Sequence, residues 1–277
     1  MAALERLDHT VINVGLEMDA AETRFAQLGF TLTPRGHHTL GSINHLMMFA
    51  TDYLELIGLP ADKPHTRPDL AGAPKGINGL VFKTENVDET FAHLQALGLA
   101  GSPPNAFSRP VALPEGTFDA SFRTVHVRPD VFPGGRVYFC EHGTPELVWR
   151  PEWQRHANGA RAIPEFVVVA EDQAGQAEAF SRLLRSEIAG DERTAHVAYD
   201  GGRVSVLTPM AYAERFGALA SPLRGRAAVF GALVLRTGGL DAVRGLLAEL
   251  PELPRLDEAH RVAVREPGFD AVLEFVA

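Results

Sequence analysis

The sequence predicts an α+β fold built from tandem βαβββ units, four of them along 277 residues. Two observations carry this prediction. A strand pattern opens at Leu7 and again at Ile77, and each is followed by a helical pattern that ends in a Leu-Gly pair. Each unit then closes on a strand-like run with a carboxylate inside it, Glu55 in the first and Glu146 in the second. A repeat of this length is typical of a supersecondary unit that buries its apolar face against a copy of itself.

The first unit spans about Leu4 to Leu59 and opens with a strand over residues 7–14. Apolar residues at helical spacing from about Asp19 predict one amphipathic helix, and Gly29 is a typical C-terminal stop. Three further strands are predicted at residues 31–33, 43–49 and 53–57.

The second unit repeats this order with a longer connection. A strand is predicted over residues 77–83 and a helix from Val87 to Leu97. The Pro- and Gly-rich stretch 101–116 is predicted to be a long loop over the surface or the pocket mouth. The closing strands are expected at residues 121–127, 135–141 and 145–149.

Residues 150–161 carry few apolar positions and form the predicted linker. The predicted domains are residues 1–153 and 162–277, each with two βαβββ units. In the second domain the strand patterns at 162–170 and 229–236 are each followed by a helical pattern and further strands. The repeat in this second domain is predicted only from its strand and helix periodicity, without matching motifs.

Composition favours a globular protein that binds a small molecule. The chain is 45% hydrophobic and 22% charged, which is enough for a sizeable core. A net charge of -9, with 26 basic against 35 acidic residues, argues against nucleic acid. No membrane-length apolar run and no signal peptide are evident, so no membrane contact and a cytoplasmic location are expected. The expected assembly is a monomer or homodimer.

The single cysteine, Cys140, excludes an intrachain disulfide and a Cys-based zinc cluster, and its apolar surroundings predict buried packing. The glycine pairs at 201–202 and 238–239 are not followed by the Gly-Lys-Ser/Thr of a phosphate loop. No nucleotide cofactor is therefore expected.

The motifs of the first half resemble the glyoxalase-like domain group of the vicinal oxygen chelate superfamily, which includes glyoxalase I, extradiol dioxygenases and bleomycin-resistance proteins. The resemblance covers about residues 4–153 and implies paired units that form cup-shaped mixed sheets with helices on the outer face. The second half resembles the superfamily only in its order of elements, with Glu274 on the last strand as its one suggestive residue. The matching motifs are Leu7-Asp8-His9, Leu28-Gly29-Phe30, His38 with Gly41-Ser42-Ile43-Asn44, Tyr53-Leu54-Glu55-Leu56 and Thr144-Pro145-Glu146-Leu147-Val148-Trp149-Arg150.

In metal-dependent members of this superfamily the ligands lie on the first and fourth strands of each unit, around one divalent ion. The resemblance implies His9, Glu55 and Glu146 as metal ligands, with Glu55 and Glu146 also as candidate catalytic carboxylates. Gly79 stands where a second histidine is expected, so the ligand set is incomplete. A mixed nitrogen and oxygen set suits Zn, Fe, Mn or Ni and leaves positions open for two substrate oxygens.

Five further polar residues are candidates for substrate contact. His38 and Asn44, in a turn-rich segment, either orient polar substrate oxygens or hydrogen-bond locally. Arg123 and His126 share a predicted strand: Arg123 projects either into the cup or outward to solvent, and His126, if it faces the cup, is a candidate for the missing imidazole. His142, at a predicted turn between strands, either supplies the missing imidazole or only caps the turn.

Three functional hypotheses remain open from the sequence. The leading one is a metal-dependent lyase, isomerase or dioxygenase that chelates a small oxygenated metabolite through two oxygens. The second, which Gly79 favours, is a metal-free binding or sequestering protein of the bleomycin-resistance type. The third assigns the second half only a covering or dimer-forming role beside the first.

Overall fold

The computed structural model describes residues 5–64 and 66–277, which form two eight-stranded mixed sheets with accompanying helices. The first sheet contains β1 (Leu7–Gly15), β2 (Gly36–His37), β3 (Ile43–Met48), β4 (Tyr53–Gly58), β5 (Gly76–Lys83), β6 (Asn105–Leu113), β7 (Gly116–His126) and β8 (Arg136–His142). Its helices are α1 (Met18–Gln27), α2 (Pro68–Ala71) and α3 (Val87–Ala96).

The second sheet contains β9 (Ala160–Ala170), β10 (Ile188–Gly190), β11 (Thr194–Tyr199), β12 (Gly202–Leu207), β13 (Ala228–Thr237), β14 (Arg255–Asp257), β15 (Arg261–Glu266) and β16 (Ala271–Val276). Its helices are α4 (Gln173–Leu184), α5 (Pro209–Phe216) and α6 (Leu240–Ala248). Within the described ranges, no helix has both the length and the apolar character needed to cross a membrane.

The two sheets share one topology. The strand order is 2-3-4-1-5-8-7-6 in the first and 10-11-12-9-13-16-15-14 in the second. In each βαβββ unit the first strand pairs in parallel with the last main strand, as β1 does with β4 and β5 with β8. The two opening strands of each sheet lie antiparallel and join its units. The predicted α+β class with tandem cup-shaped sheets is therefore confirmed; the domain boundaries stay a prediction.

The convex faces of the two sheets pack on one shared apolar layer. Helices α1, α3, α4 and α6 all contribute buried residues to it, as expected for helices on the outer face of each cup. Aromatic pairs cross the layer, with ring centroids 4.3 Å apart for Phe132 and Phe180 and 6.5 Å apart for Phe25 and Phe269. Each concave face has a smaller apolar cluster of its own.

Three predicted strand or loop assignments are wrong. The segment 101–116, predicted as a loop, contains β6, which tolerates Pro110 because an edge strand need not donate on its outer side. Residues 145–149, predicted as a strand, begin with a 3-10 helix, and Pro145 suits its first turn. The closing strand of the second unit is therefore β8. Residues 31–33 are not a strand, and β2 lies a few residues later.

Asp52, before β4, connects the two halves through a buried carboxyl group. Its Oδ1 accepts a hydrogen bond from the backbone N–H of Ile163 at 3.2 Å. Burial raises the pKa of Asp52 to about 7, although that hydrogen bond opposes the shift. Because the folded-state pKa lies above the unfolded value, the stabilisation by the neutral form is complete at low pH and is lost as the pH rises through 7.

We expect Asp52→Asn to raise the free energy of unfolding at pH 8 by about 1–3 kcal/mol, because it removes the cost of a buried charge. Urea denaturation between about pH 5 and pH 8 should show a flatter pH dependence than in the wild type. The exposed Asp62→Asn is the matched control and should leave the profile unchanged. A wild-type slope that persists in Asp52→Asn would assign the pH dependence to another group.

Candidate functional site

The concave face of the first sheet encloses a cavity of about 200 Å³. The sheet curves until its two edge strands approach each other. Just outside β2, the Thr39 N–H donates to the Ser108 carbonyl at 2.9 Å, and the Ser108 N–H donates to Thr39 Oγ1 at 3.1 Å. This closure turns an open cup into a nearly complete barrel around the cavity.

Strand alternation places three polar side chains from β1, β4 and β8 at the inner wall. His9 Nε2 lies 3.7 Å from Glu55 Oε2 and 3.3 Å from the hydroxyl of Tyr138. Tyr138 lies on β8, which pairs in parallel with β5 in the same way that β4, the strand of Glu55, pairs with β1. Tyr138 therefore holds the position in the second unit that Glu55 holds in the first. Burial raises the pKa of Tyr138 well above its usual value, which keeps the hydroxyl protonated. The second unit therefore contributes a phenol where the sequence predicted Glu146.

His9 and Glu55 are each held by a partner on their far side. Asp8 Oδ2 lies 2.7 Å from His9 Nδ1, and Asn44 Nδ2 donates to Glu55 Oε1 at 2.7 Å. Although burial opposes it, His142 and His9 hold the pKa of Asp8 well below its usual range. An ionised carboxylate can only accept, so His9 Nδ1 carries a proton, and in the neutral imidazole Nε2 presents a lone pair toward the cavity.

A β-bulge explains why Asp8 reaches the same site as its neighbour His9. The pairing with β5 shifts register between Leu7 and His9, which leaves Asp8 as the extra residue. Asp8 is fully buried and also accepts from His142 Nε2 at 2.9 Å, while Lys83 Nζ lies 3.8 Å from its other oxygen. Regular alternation would direct Asp8 away from His9, so the sequence pattern missed this contact.

Gly79 on β5 lies opposite Val11, and the space beside it is already filled. A Cβ added at Gly79 would lie 2.7 Å from Val11 Cγ2 and 2.8 Å from Val11 Cβ. No side chain fits there while Val11 stays in place. The two units are therefore asymmetric, with His9 and Glu55 from the first and Tyr138 from the second.

We expect Gly79→Ala to lower the free energy of unfolding by about 1–3 kcal/mol, because the added methyl overpacks the strand pair. Val11→Gly in the same chain removes both opposing atoms, Cβ and Cγ2, and should recover at least about 1 kcal/mol in a double-mutant cycle. Urea denaturation of the four proteins measures this coupling. Strictly additive effects would contradict the clash with Val11.

Three of the five predicted substrate-binding residues line the cavity: His38, Asn44 and His126. Burial, reinforced by nearby arginine charges, lowers the pKa of His38 and of His126 to about 4. Both rings are therefore neutral near pH 7. His126 also stacks on Tyr138, with ring centroids 4.5 Å apart.

The remaining predicted residues lie outside the cavity. His142 ends β8 and supports Asp8 from behind, instead of facing the cavity. Arg123 is on β7 and donates to the exposed Asp88 at 2.8 Å. Glu146 is exposed on the 3-10 helix after β8, in a surface depression beside Lys83. Glu146 lies there because the chain leaves the sheet one element earlier than the sequence pattern indicated.

A second group of potential ligands lies behind His9. Atoms of Asp8, Cys140 and His142 all lie within 4.8 Å of one another. Burial raises the pKa of the Cys140 thiol well above its usual value, so the sulfur is a thiol in this arrangement. One oxygen of Asp8 is already bonded to both histidines. In this arrangement the group acts as a support for His9.

Part of the second cup is occupied by its own chain, and an open depression lined by Glu165, Arg215 and Glu274 remains. Helix α5, absent from the sequence prediction, lies against the concave face and buries Tyr212 and Phe216 there. Arg215 on this helix bonds Glu165 at 2.7 Å and Glu274 at 3.1 Å. By strand register these two carboxylates correspond to His9 and Tyr138 of the first cup. The guanidinium of Arg215 thus bonds both carboxylates, whereas His9 and Tyr138 in the first cup face an open cavity.

Comparison with protein families gives a match to a model described as "Glyoxalase-like domain" over residues 7–184, more than half of the chain. The chain belongs to the glyoxalase-like domain family. Its membership of the vicinal oxygen chelate superfamily, predicted from the motifs of the first half, is confirmed. No curated protein matches the sequence of this glyoxalase-like protein.

Solved structures share the fold of the glyoxalase-like protein at low sequence identity. A hypothetical protein from Staphylococcus aureus has a TM-score of 0.68 and 10% identity, over 98% of this chain and 99% of that one. A triple mutant of 4-hydroxymandelate synthase from Streptomyces coelicolor has a TM-score of 0.58 and 14% identity, over 99% and 92%. A fusion of a xylose isomerase-like TIM barrel with a 4-hydroxyphenylpyruvate dioxygenase has a TM-score of 0.58 and 12% identity, over 99% and 49%.

Proposed function

We propose that this glyoxalase-like protein is a metal-dependent enzyme that acts on a small oxygenated metabolite by lyase, isomerase or dioxygenase chemistry. One observation carries the proposal: His9 Nε2 and Glu55 Oε2 face a cavity 3.7 Å apart, and a partner fixes the far atom of each side chain. Metal-ligating histidines usually donate their other N–H to a carboxylate or carbonyl, and ligating carboxylates are themselves hydrogen-bonded. The synthase and dioxygenase among the structural neighbours support an enzymatic role.

The donor set fits a divalent ion. An imidazole nitrogen and a carboxylate oxygen suit Zn, Fe, Mn or Ni. His9 and Glu55 would hold the ion, which would supply Lewis acidity to polarise two neighbouring substrate oxygens. Glu146 is not part of this proposal, because it lies outside the cavity.

The remaining residues would position the substrate and manage its protons. The protonated Tyr138 hydroxyl, beside His9, can donate a hydrogen bond to a substrate oxygen. Asn44 holds Oε1 of Glu55, so Oε2 is aimed at the cavity, where it would ligate the ion. Phe107 and Phe122, stacked with centroids 5.3 Å apart, form an apolar wall that excludes water.

Metal content is the direct test. Protein purified without an affinity-metal column is titrated with Zn, Mn, Ni and, without oxygen, Fe(II), and bound metal is measured by elemental analysis. We expect one ion per chain, with affinity at least about 100-fold lower in His9→Ala and Glu55→Gln. The exposed Glu146→Gln is the matched control and should bind as the wild type does.

Two results would contradict the proposal. An ion that is lost in Cys140→Ala but kept in His9→Ala would lie at the Asp8, Cys140 and His142 group instead. A chain that binds no ion and still binds small molecules after His9→Ala would be a sequestering protein of the bleomycin-resistance type.

A further inference from the structure

We propose that the ligand of the first cup carries a carboxylate group, which Arg109 and Arg136 bind, and that its remainder is a small aromatic or otherwise flat apolar group. Both arginines line the cavity that holds His9 and Glu55. The inference rests on the proposed function, because it places the substrate in that same cavity.

Arg109 is buried and Arg136 is half-buried, and both guanidinium groups are incompletely bonded. Arg109 is only 2% exposed, and its Nη2 has no hydrogen-bond partner among the described residues. Arg136 donates through Nε to Asn78 Oδ1 at 2.8 Å, whereas its buried Nη2 also has no partner in the described chain. Arginine stays charged in proteins, and a buried charge without a counterion is costly. An anion in the cavity would satisfy both groups.

The charged residues around the cavity also favour an anionic ligand. Among the residues that the structure describes, three arginines line the cavity, Arg67, Arg109 and Arg136, against a single carboxylate, Glu55. Arg67 is already paired with Asp69 through two bonds of 2.6 and 2.9 Å. A chain of net charge -9 therefore concentrates an excess of positive charge in one enclosed space. Such a cavity attracts an anionic ligand and repels a cationic one.

The fold also reserves space for Arg109. Gly36 has an ordinary backbone conformation for any residue, yet a Cβ there would lie 3.0 Å from Arg109 Cδ and 3.1 Å from Arg109 Nη1. The same Cβ would collide with Asn44, which bonds Glu55. The missing side chain at Gly36 therefore lets Arg109 lie beside the Asn44 and Glu55 pair, close to the reacting end of the proposed site.

The chemistry of the walls defines the ligand further. A guanidinium presents parallel N–H groups that pair with the two oxygens of a planar carboxylate. Phe107 and Phe122 offer a stacked aromatic wall for an apolar group. A protein cavity of about 150 Å³ holds benzene, so the 200 Å³ here admits an acid of about the size of benzoic acid.

Benzoate and benzamide are matched probes, since they share shape and differ in charge. Their affinities are measured by isothermal titration calorimetry on the full-length protein as purified and after removal of metal with EDTA. We expect the wild type to prefer benzoate by about tenfold or more in both preparations. The preference should fall below about threefold in Arg109→Met and in Arg136→Met and persist in Arg123→Met, whose side chain lies outside the cavity.

The outcomes separate this inference from the proposed function. Equal affinity for the two probes, or a preference that survives in both arginine variants, overturns the carboxylate inference. A preference for benzoate that disappears when only the metal is removed also overturns the carboxylate inference, because the metal ion and not the arginines would then bind benzoate. That result would still support the proposed metal site. A preference that persists in a chain unable to bind metal sustains the arginine site while the proposed enzyme fails. If Arg109→Met does not fold, the half-buried Arg136→Met decides the matter.

Discussion

Truncation after Arg161 is expected to give an insoluble first half. The shared apolar layer between the convex faces would lose its second side, which exposes Phe25, Phe30, Phe82 and Phe132. Burying one such side chain contributes about 1.5–3 kcal/mol. Four of them together are worth on the order of 10 kcal/mol, comparable to the whole stability of a typical domain at about 5–15 kcal/mol. The second half would therefore be needed for the first to fold.

Expression of the fragments 1–161 and 162–277, alone and together, tests this expectation. Each fragment alone should aggregate or bind a dye that detects exposed apolar surface, and co-expression should recover a soluble complex. Phe132→Ala in the full chain should cost about 3–5 kcal/mol, against about 0.5 kcal/mol or less for Phe118→Ala, whose side chain is exposed. A monomeric, cooperatively melting fragment 1–161 would show that the predicted first domain is independent and that the shared layer is dispensable.

The sequence predicted the fold well because each unit repeats the same strand and helix periods. His9 and Glu55 could be placed on one face because β1 and β4 keep one unbroken parallel register from His9 to Asn13. The N-terminal opening strand and the strand that closes its unit pair directly in parallel, so the two side chains meet without any long-range information beyond the repeat.

The residues that the sequence missed depend on irregular features. Tyr138 was hidden because the Pro-containing edge strand β6 resembles a loop, which moved the expected closing strand past β8 to Glu146. Asp8 was hidden because a bulge breaks the alternation of β1. Arg109 lies on that same unrecognised strand, β6, so its burial in the cavity had no signal in the pattern. Short-range periodicity does not encode bulges or edge strands.

Asp8→Asn is expected to weaken both the candidate metal site and the fold. An asparagine amide can donate to His9 Nδ1, which stabilises the tautomer with the proton on Nε2 and removes the lone pair from the cavity. The corresponding change in the serine protease triad acts through the wrong tautomer in the same way. We expect metal affinity to fall by about 10–100-fold. The free energy of unfolding should fall by about 3–5 kcal/mol, because His142 and Lys83 lose their buried counterion.

The pH dependence gives an independent check on Asp8. Its folded-state pKa lies below the unfolded value, so its stabilisation is present above about pH 4 and is lost as the pH falls further toward the folded pKa. Wild-type stability, measured by urea denaturation, should therefore decline below about pH 4 more steeply than that of Asp8→Asn. Asp88→Asn is the matched control, because its exposed pair with Arg123 is screened by solvent and contributes little to stability. An Asp8→Asn variant with wild-type metal affinity and acid stability would show that His9 does not depend on the carboxylate behind it.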